Sequence, residues 1–194
     1  CIQERIGNAP TITRTGPRLK KVADRESDIP GWAYKDYWTR VLNHMHTVYG
    51  GYCAFLVLYI ERDTSTASVD HMHAKTVRRD LVYTWSNYRL CAATFNSWKG
   101  GRTGIVDPFT CRNGWFELEL VGFQVIDGAD APRRRMRSIV ATCDLLNKEE
   151  FRRGRERRAN RYLNEGLPLS ILEAEAPFIA QELRRQGRLR PGDK

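Results

Sequence analysis

The five cysteines of this 194-residue chain, at 1, 53, 91, 111 and 143, include no CxxC pair, and their number is odd. That spacing argues against a structural zinc knuckle and against a disulfide framework; the expected setting is a reducing cytoplasm. Gly-rich phosphate loops of the P-loop or dinucleotide type are also missing, which removes the common nucleotide-binding classes. Long hydrophobic runs are absent: the apolar stretch YCAFLVLYI (52–60) falls far short of the roughly 20 residues that cross a bilayer. Residues 1–30 are polar and charged throughout, with no apolar core of a secretory signal, and no membrane association is expected. Neither an internal repeat nor a low-complexity segment occurs.

Positive charge is abundant. The net charge is +9 with a pI near 9.6, and residues 133–161 hold eleven Lys/Arg against four Asp/Glu. A surplus of this size points to a polyanionic partner, nucleic acid being the usual one. Arg152, Arg153, Arg155, Arg157 and Arg158 crowd one segment. At 100° per residue they spread round the helix, with Phe151, Ala159 and Tyr162 expected inward and Arg153 and Arg157 sharing one outer face.

The hydrophobic fraction is 41%, enough for a core of useful size. Residues 1–31 carry turn-type glycines and prolines and read as an N-terminal arm. From 32 to 49, Tyr34, Tyr37, Trp38, Val41, Leu42, Met45, Val48 and Tyr49 follow helical spacing and stop at Gly50-Gly51. The run 52–60 fits helix or strand. SVDH (68–71) reads as a short strand, RRD (78–80) as loop, and YTWSNYRL (83–90) as the lead into a short helix ending near Trp98. WFELELVGFQVI (115–126) alternates as strands bent at Gly122. Residues 138–146 and 148–163 read as helices, the second interrupted at Gly154. Ser170 and Glu173 suggest a capping box, and Pro177 starts a last helix that ends at Gly187.

Chemistry concentrates in TASVDHMHAK (66–75). Asp70 and His71 are followed by Asn87, sixteen residues after His71, and by Asn96 nine further on, with Lys75 and Lys99 flanking them. The pieces SVDHMHAK, WSNYRL and NSWKG resemble the HNH (ββα-metal) endonuclease family, in the variant where an Asp precedes the first His and an Asn replaces the last. The likeness covers about residues 50–109. More loosely, LLNKEEF and APFIAQELRRQG resemble bacterial HNH proteins of phage-defence and restriction-like systems. Unlike many relatives, this chain has no CxxC zinc pairs, and Ala74 stands where a proline is common.

The resemblance implies an α+β protein, mostly helical, with a ββα-metal (HNH) catalytic module. It would form a single nuclease domain over 32–194, with the module at about 50–109 and a basic helical C-terminal part. Asp70 and Asn96 would be metal ligands, His71 the general base, and Asn87 the residue that pins the loop between hairpin and helix. Hard oxygen donors favour Mg²⁺ or Mn²⁺ over zinc. A neutral imidazole can take a proton from water near pH 7. In a regular strand Asp70 and His71 face opposite ways, so a twist or bulge is expected there. Lys75, Lys99, Arg78, Arg79, Arg153 and Arg157 are the expected phosphate contacts. DNA is the expected substrate, and a partner ATPase or another defence-system protein an expected associate. Two other readings remain: a zinc site of His71, His73 and Cys91, and a non-catalytic nucleic-acid-binding or structural subunit of a defence complex.

Overall fold

The computed structural model describes residues 36–63 and 66–194. The expected N-terminal arm, 1–31, lies outside the described residues. The rest mixes helix and strand and gathers into two compact units. One holds 36–54 and Ile60–Thr103; the other holds Phe55–Tyr59 and Gly104–Lys194. Among the described residues, no helix is long and apolar enough to cross a membrane.

In the first unit a 3₁₀ turn (Tyr37–Val41) runs into helix α1 (Leu42–Val48). Trp38, Met45 and Tyr49 recur at helical spacing and are buried. Gly51 N–H then donates to the carbonyl of His46, and Gly50 N–H to that of Thr47. Both glycines have positive φ, so the helix closes in a Schellman motif that residues with a Cβ would strain.

Strands β1 (Ala67–His71) and β2 (Tyr88–Ala92) pair antiparallel, from Ala67 opposite Ala92 to His71 opposite Tyr88. Helix α2 (Ala93–Lys99) follows β2 directly and stops at Gly100, whose φ is positive. Phe95 is fully buried on the inner side of α2. The order is therefore strand, strand, helix, with a sixteen-residue connection, 72–87, inside the hairpin.

The run 52–60 is neither helix nor strand. Cys53 and Ala54 are buried in the first unit, whereas Phe55–Tyr59 belongs to the second, where Tyr59 N–H donates to the carbonyl of Glu175. A stretch shared by two cores has no single periodicity to keep, and Val57 turns it with a φ of +52°.

The second unit pairs β3 (Phe116–Leu118) with β4 (Val125–Asp127), and Gly122 lies in the turn between them. Helices α3 (Met136–Leu146), α4 (Glu149–Leu163), α5 (Leu169–Glu175) and α6 (Pro177–Arg185) follow. Val106, Trp115 and Ile139 form one core cluster, with Met136 and Cys143 packed against it. Gly154 does not interrupt α4, which is continuous. The capping box is also not formed: α5 begins at Leu169 after Pro168, so Ser170 sits inside the helix, and Glu173 pairs with Arg184 instead. Pro177 does open α6, where its missing N–H costs no helical bond.

Candidate functional site

Alternation along β1 puts Ser68 and Asp70 on one face of the hairpin and Val69 and His71 on the other. The ladder is unbroken through His71, so no bulge interrupts β1 and the two neighbours stay on opposite faces.

On the His71 face the imidazole is buried edge-on between aromatic rings, 4.8 Å from Trp38 and 5.2 Å from its cross-strand neighbour Tyr88, centroid to centroid. His71 Nε2 lies 2.9 Å from the carbonyl of Val82, which also accepts from the Tyr88 hydroxyl. A carbonyl only accepts, so Nε2 carries the hydrogen and Nδ1 keeps the lone pair. Burial pushes the imidazole down to about 4, against the opposing bond to Val82, and the charges of Lys75 and Lys99 push the same way. The ring is thus neutral at pH 7.

On the Asp70 face, α2 lies along β1. Asn96 Nδ2 donates to Ser68 Oγ (2.7 Å) and more weakly to the Val69 carbonyl (3.4 Å). One turn later Lys99 Nζ donates to Asp70 Oδ1 (2.9 Å) and to the carbonyl of His71 (2.8 Å). The side chains of this ion pair are 0% and 2% exposed. Arg89, also buried, stands opposite Asp70 in the ladder. Ser68 and Arg89 were not foreseen; their one sequence signal is that they share a face with Asp70 by alternation and register.

Asn87 is buried at the end of the long connection. Its Oδ1 accepts from His73 N–H (2.7 Å), and its Nδ2 donates to the carbonyls of His73 (3.0 Å) and Leu81 (3.2 Å). Its own carbonyl accepts from Met72 N–H (2.8 Å). It closes the neck of the connection between β1 and β2, not a loop between hairpin and helix. His73 itself is exposed, and only its backbone is held.

Among the described residues no group of three or more His, Cys, Asp and Glu could hold a metal ion. The zinc alternative therefore does not form: His73 is exposed, and burial raises the thiol of Cys91 well above its ordinary range. Asp70 and Asn96 remain as oxygen donors of the kind Mg²⁺ takes with waters. They fit that ion in chemistry, with Lys99 already on the carboxylate.

The cations expected to meet phosphate divide. Lys99 is not available for it, being fully buried in the pair with Asp70. Lys75 lies 4.2 Å from the Trp38 ring centroid. Arg78 is exposed and clasps Asp80 with two bonds, of 2.8 and 2.6 Å, which raises its pKa further; Arg79 is exposed beside it. In α4, Phe151, Ala159 and Tyr162 do face inward. Arg153 pairs with Glu149 one turn away, and Arg157 is exposed. Arg155 is buried and donates to the carbonyls of Phe123 and Leu146 and to Asn147 Oδ1 at 2.9–3.0 Å. Desolvation lowers its pKa to about 10. A denser exposed group lies at the start of α3: Arg133, Arg134 and Arg135 just before it and Arg137 in its first turn all face solvent, with Arg135 also over the Trp115 ring.

No protein-family model matches this chain, and no curated protein matches it.

Proposed function

We propose that the protein is a metal-dependent endonuclease of the HNH kind, acting on DNA. The observation that supports this reading is the strand–strand–helix order, with Asp70 and His71 at the end of β1, Asn87 across the neck of the connection, and Asn96 on α2 against β1. Asp70 and Asn96 would hold Mg²⁺ or Mn²⁺, which when bound neutralises charge building on a scissile phosphodiester. His71, neutral and tautomerically fixed by the Val82 carbonyl, takes the proton from attacking water at Nδ1. The ladder ends at His71, so a phosphodiester laid across the strand end would meet both faces. Asn87 positions the connection that carries Val82 and so the imidazole. Arg133, Arg134 and Arg137, with Arg157, would track the sugar–phosphate backbone. A role in phage defence with a partner ATPase rests on the resemblance of the motifs alone.

The test is supercoiled plasmid incubated with purified protein and Mg²⁺, Mn²⁺ or EDTA. Nicking that requires metal and disappears in His71→Ala, but not in His73→Ala, is the expected outcome. A folded wild-type protein that binds plasmid and never cuts it would sink the enzyme reading. It would leave the second one, a non-catalytic nucleic-acid-binding subunit, which the Lys99 ion pair on Asp70 and the opposed faces of Asp70 and His71 favour.

A further inference from the structure

The end of α2 carries a device that the resemblance does not explain. Lys99 is fully buried, and two of its ammonium hydrogens go to Asp70 Oδ1 and the His71 carbonyl. Anchoring a seven-residue helix does not require this, since Phe95 is buried on the same inner side. A buried ion pair is seldom a net gain in stability over an apolar pair of the same shape. Its effect on charge, however, is large. Asp70 contributes −1 and Lys99 +1, so the carboxylate expected to attract a cation is already neutralised at 2.9 Å. Arg89, opposite Asp70 in the ladder and buried, adds a further positive charge. Asn96 supplies a dipole and no charge.

We propose that Lys99 makes cation binding and nucleic-acid binding mutually dependent at this centre. A divalent ion alone meets an Asp70–Lys99–Arg89 group with no net negative charge. A phosphodiester provides the missing charge, and the two then hold each other. This rests on the reading of Asp70 and Asn96 as the ion's ligands. Linkage makes the coupling reciprocal: the factor by which DNA tightens the ion equals the factor by which the ion tightens DNA. The consequence is an enzyme that carries no loaded metal between encounters with its substrate.

The experiment uses the full chain with His71→Gln, so that the duplex survives. Mn²⁺ is titrated calorimetrically with and without a short DNA duplex, the duplex alone serving as blank. Duplex affinity is read by fluorescence anisotropy with and without Mn²⁺. The expected coupling is on the order of tenfold or more and the same in both directions. Adding Lys99→Met, of similar length and no charge, should tighten Mn²⁺ binding without DNA by about the same factor and shrink the coupling. Equal Mn²⁺ affinity with and without the duplex would overturn the inference, whether or not the Lys99→Met chain folds. So would a folded Lys99→Met chain with unchanged affinity and coupling. If Mn²⁺ binds none of these proteins, with or without duplex, the assignment of Asp70 and Asn96 as ligands fails, and the inference with it. Tight but uncoupled binding removes the inference alone.

Discussion

Acidification should unfold the first unit through His71. The imidazole is buried between Trp38 and Tyr88, and burial lowers its pKa from 6.5 to about 4. The unfolded chain then takes up the proton first as pH falls. Stability owed to this group is whole above pH 6.5 and drains away as pH drops toward 4. A gap of about 2.5 pH units corresponds to about 3 kcal/mol by pH 4, of which nearly half is gone by pH 5.5. Carboxylates elsewhere contribute to acid unfolding as well, so the comparison is with His71→Gln, which cannot titrate yet can still donate to the Val82 carbonyl. Urea unfolding of both proteins at pH 7.5, 5.5 and 4 measures the difference, and the His71 ring proton followed by NMR gives the pKa directly. The wild type should lose about 3 kcal/mol more than the variant across this range. Parallel losses, or a ring that titrates near 6.5, would refute the claim that burial holds it neutral.

Three further outcomes are expected. Asn87→Ala removes three side-chain hydrogen bonds and should cost about 2–4 kcal/mol in urea unfolding, with new protease cleavage in the 74–86 segment; a cost under about 1 kcal/mol would mean the connection holds itself. Arg155→Met removes three hydrogen bonds and strands the buried carbonyls of Phe123 and Leu146; it should destabilise by about 2–4 kcal/mol with little change in DNA affinity, whereas unchanged stability would assign this arginine to the surface function instead. Replacing Arg133, Arg134 and Arg137 together by Gln should flatten the log–log salt dependence of DNA binding by up to about 2–3 units, against about one unit or less for Arg153 and Arg157, since Arg153 is already tied to Glu149. Equal slopes in the two variants would return the DNA surface to α4.

Several features were written in local spacing and needed no tertiary information. Trp38, Met45 and Tyr49 announce the inner face of the 3₁₀ turn and α1 together, Gly50-Gly51 the end of α1, and Pro177 the start of α6, because backbone geometry and helical periodicity act within a few residues. SVDH alternates as a strand because only one side chain in two can face a given neighbour. The inward set Phe151, Ala159 and Tyr162 follows from the same 100° rule. What only tertiary structure decided is where charge goes. Lys99 and Arg153 are the same kind of residue in sequence, each on a helix among polar neighbours. One is buried on Asp70 because α2 lies along β1; the other stays at the surface against Glu149. Arg155 looks like one more arginine of a basic run until Phe123, Leu146 and Asn147 converge on it. The stretch 52–60 is apolar throughout, yet two separate cores divide it, so no periodicity could have named its form. Hydrophobic spacing is local and periodic, whereas the partner of a buried charge is set by elements distant in the chain; that is why Lys99 could be named in sequence only as an expected phosphate contact, while its place on the Asp70 carboxylate could not be read.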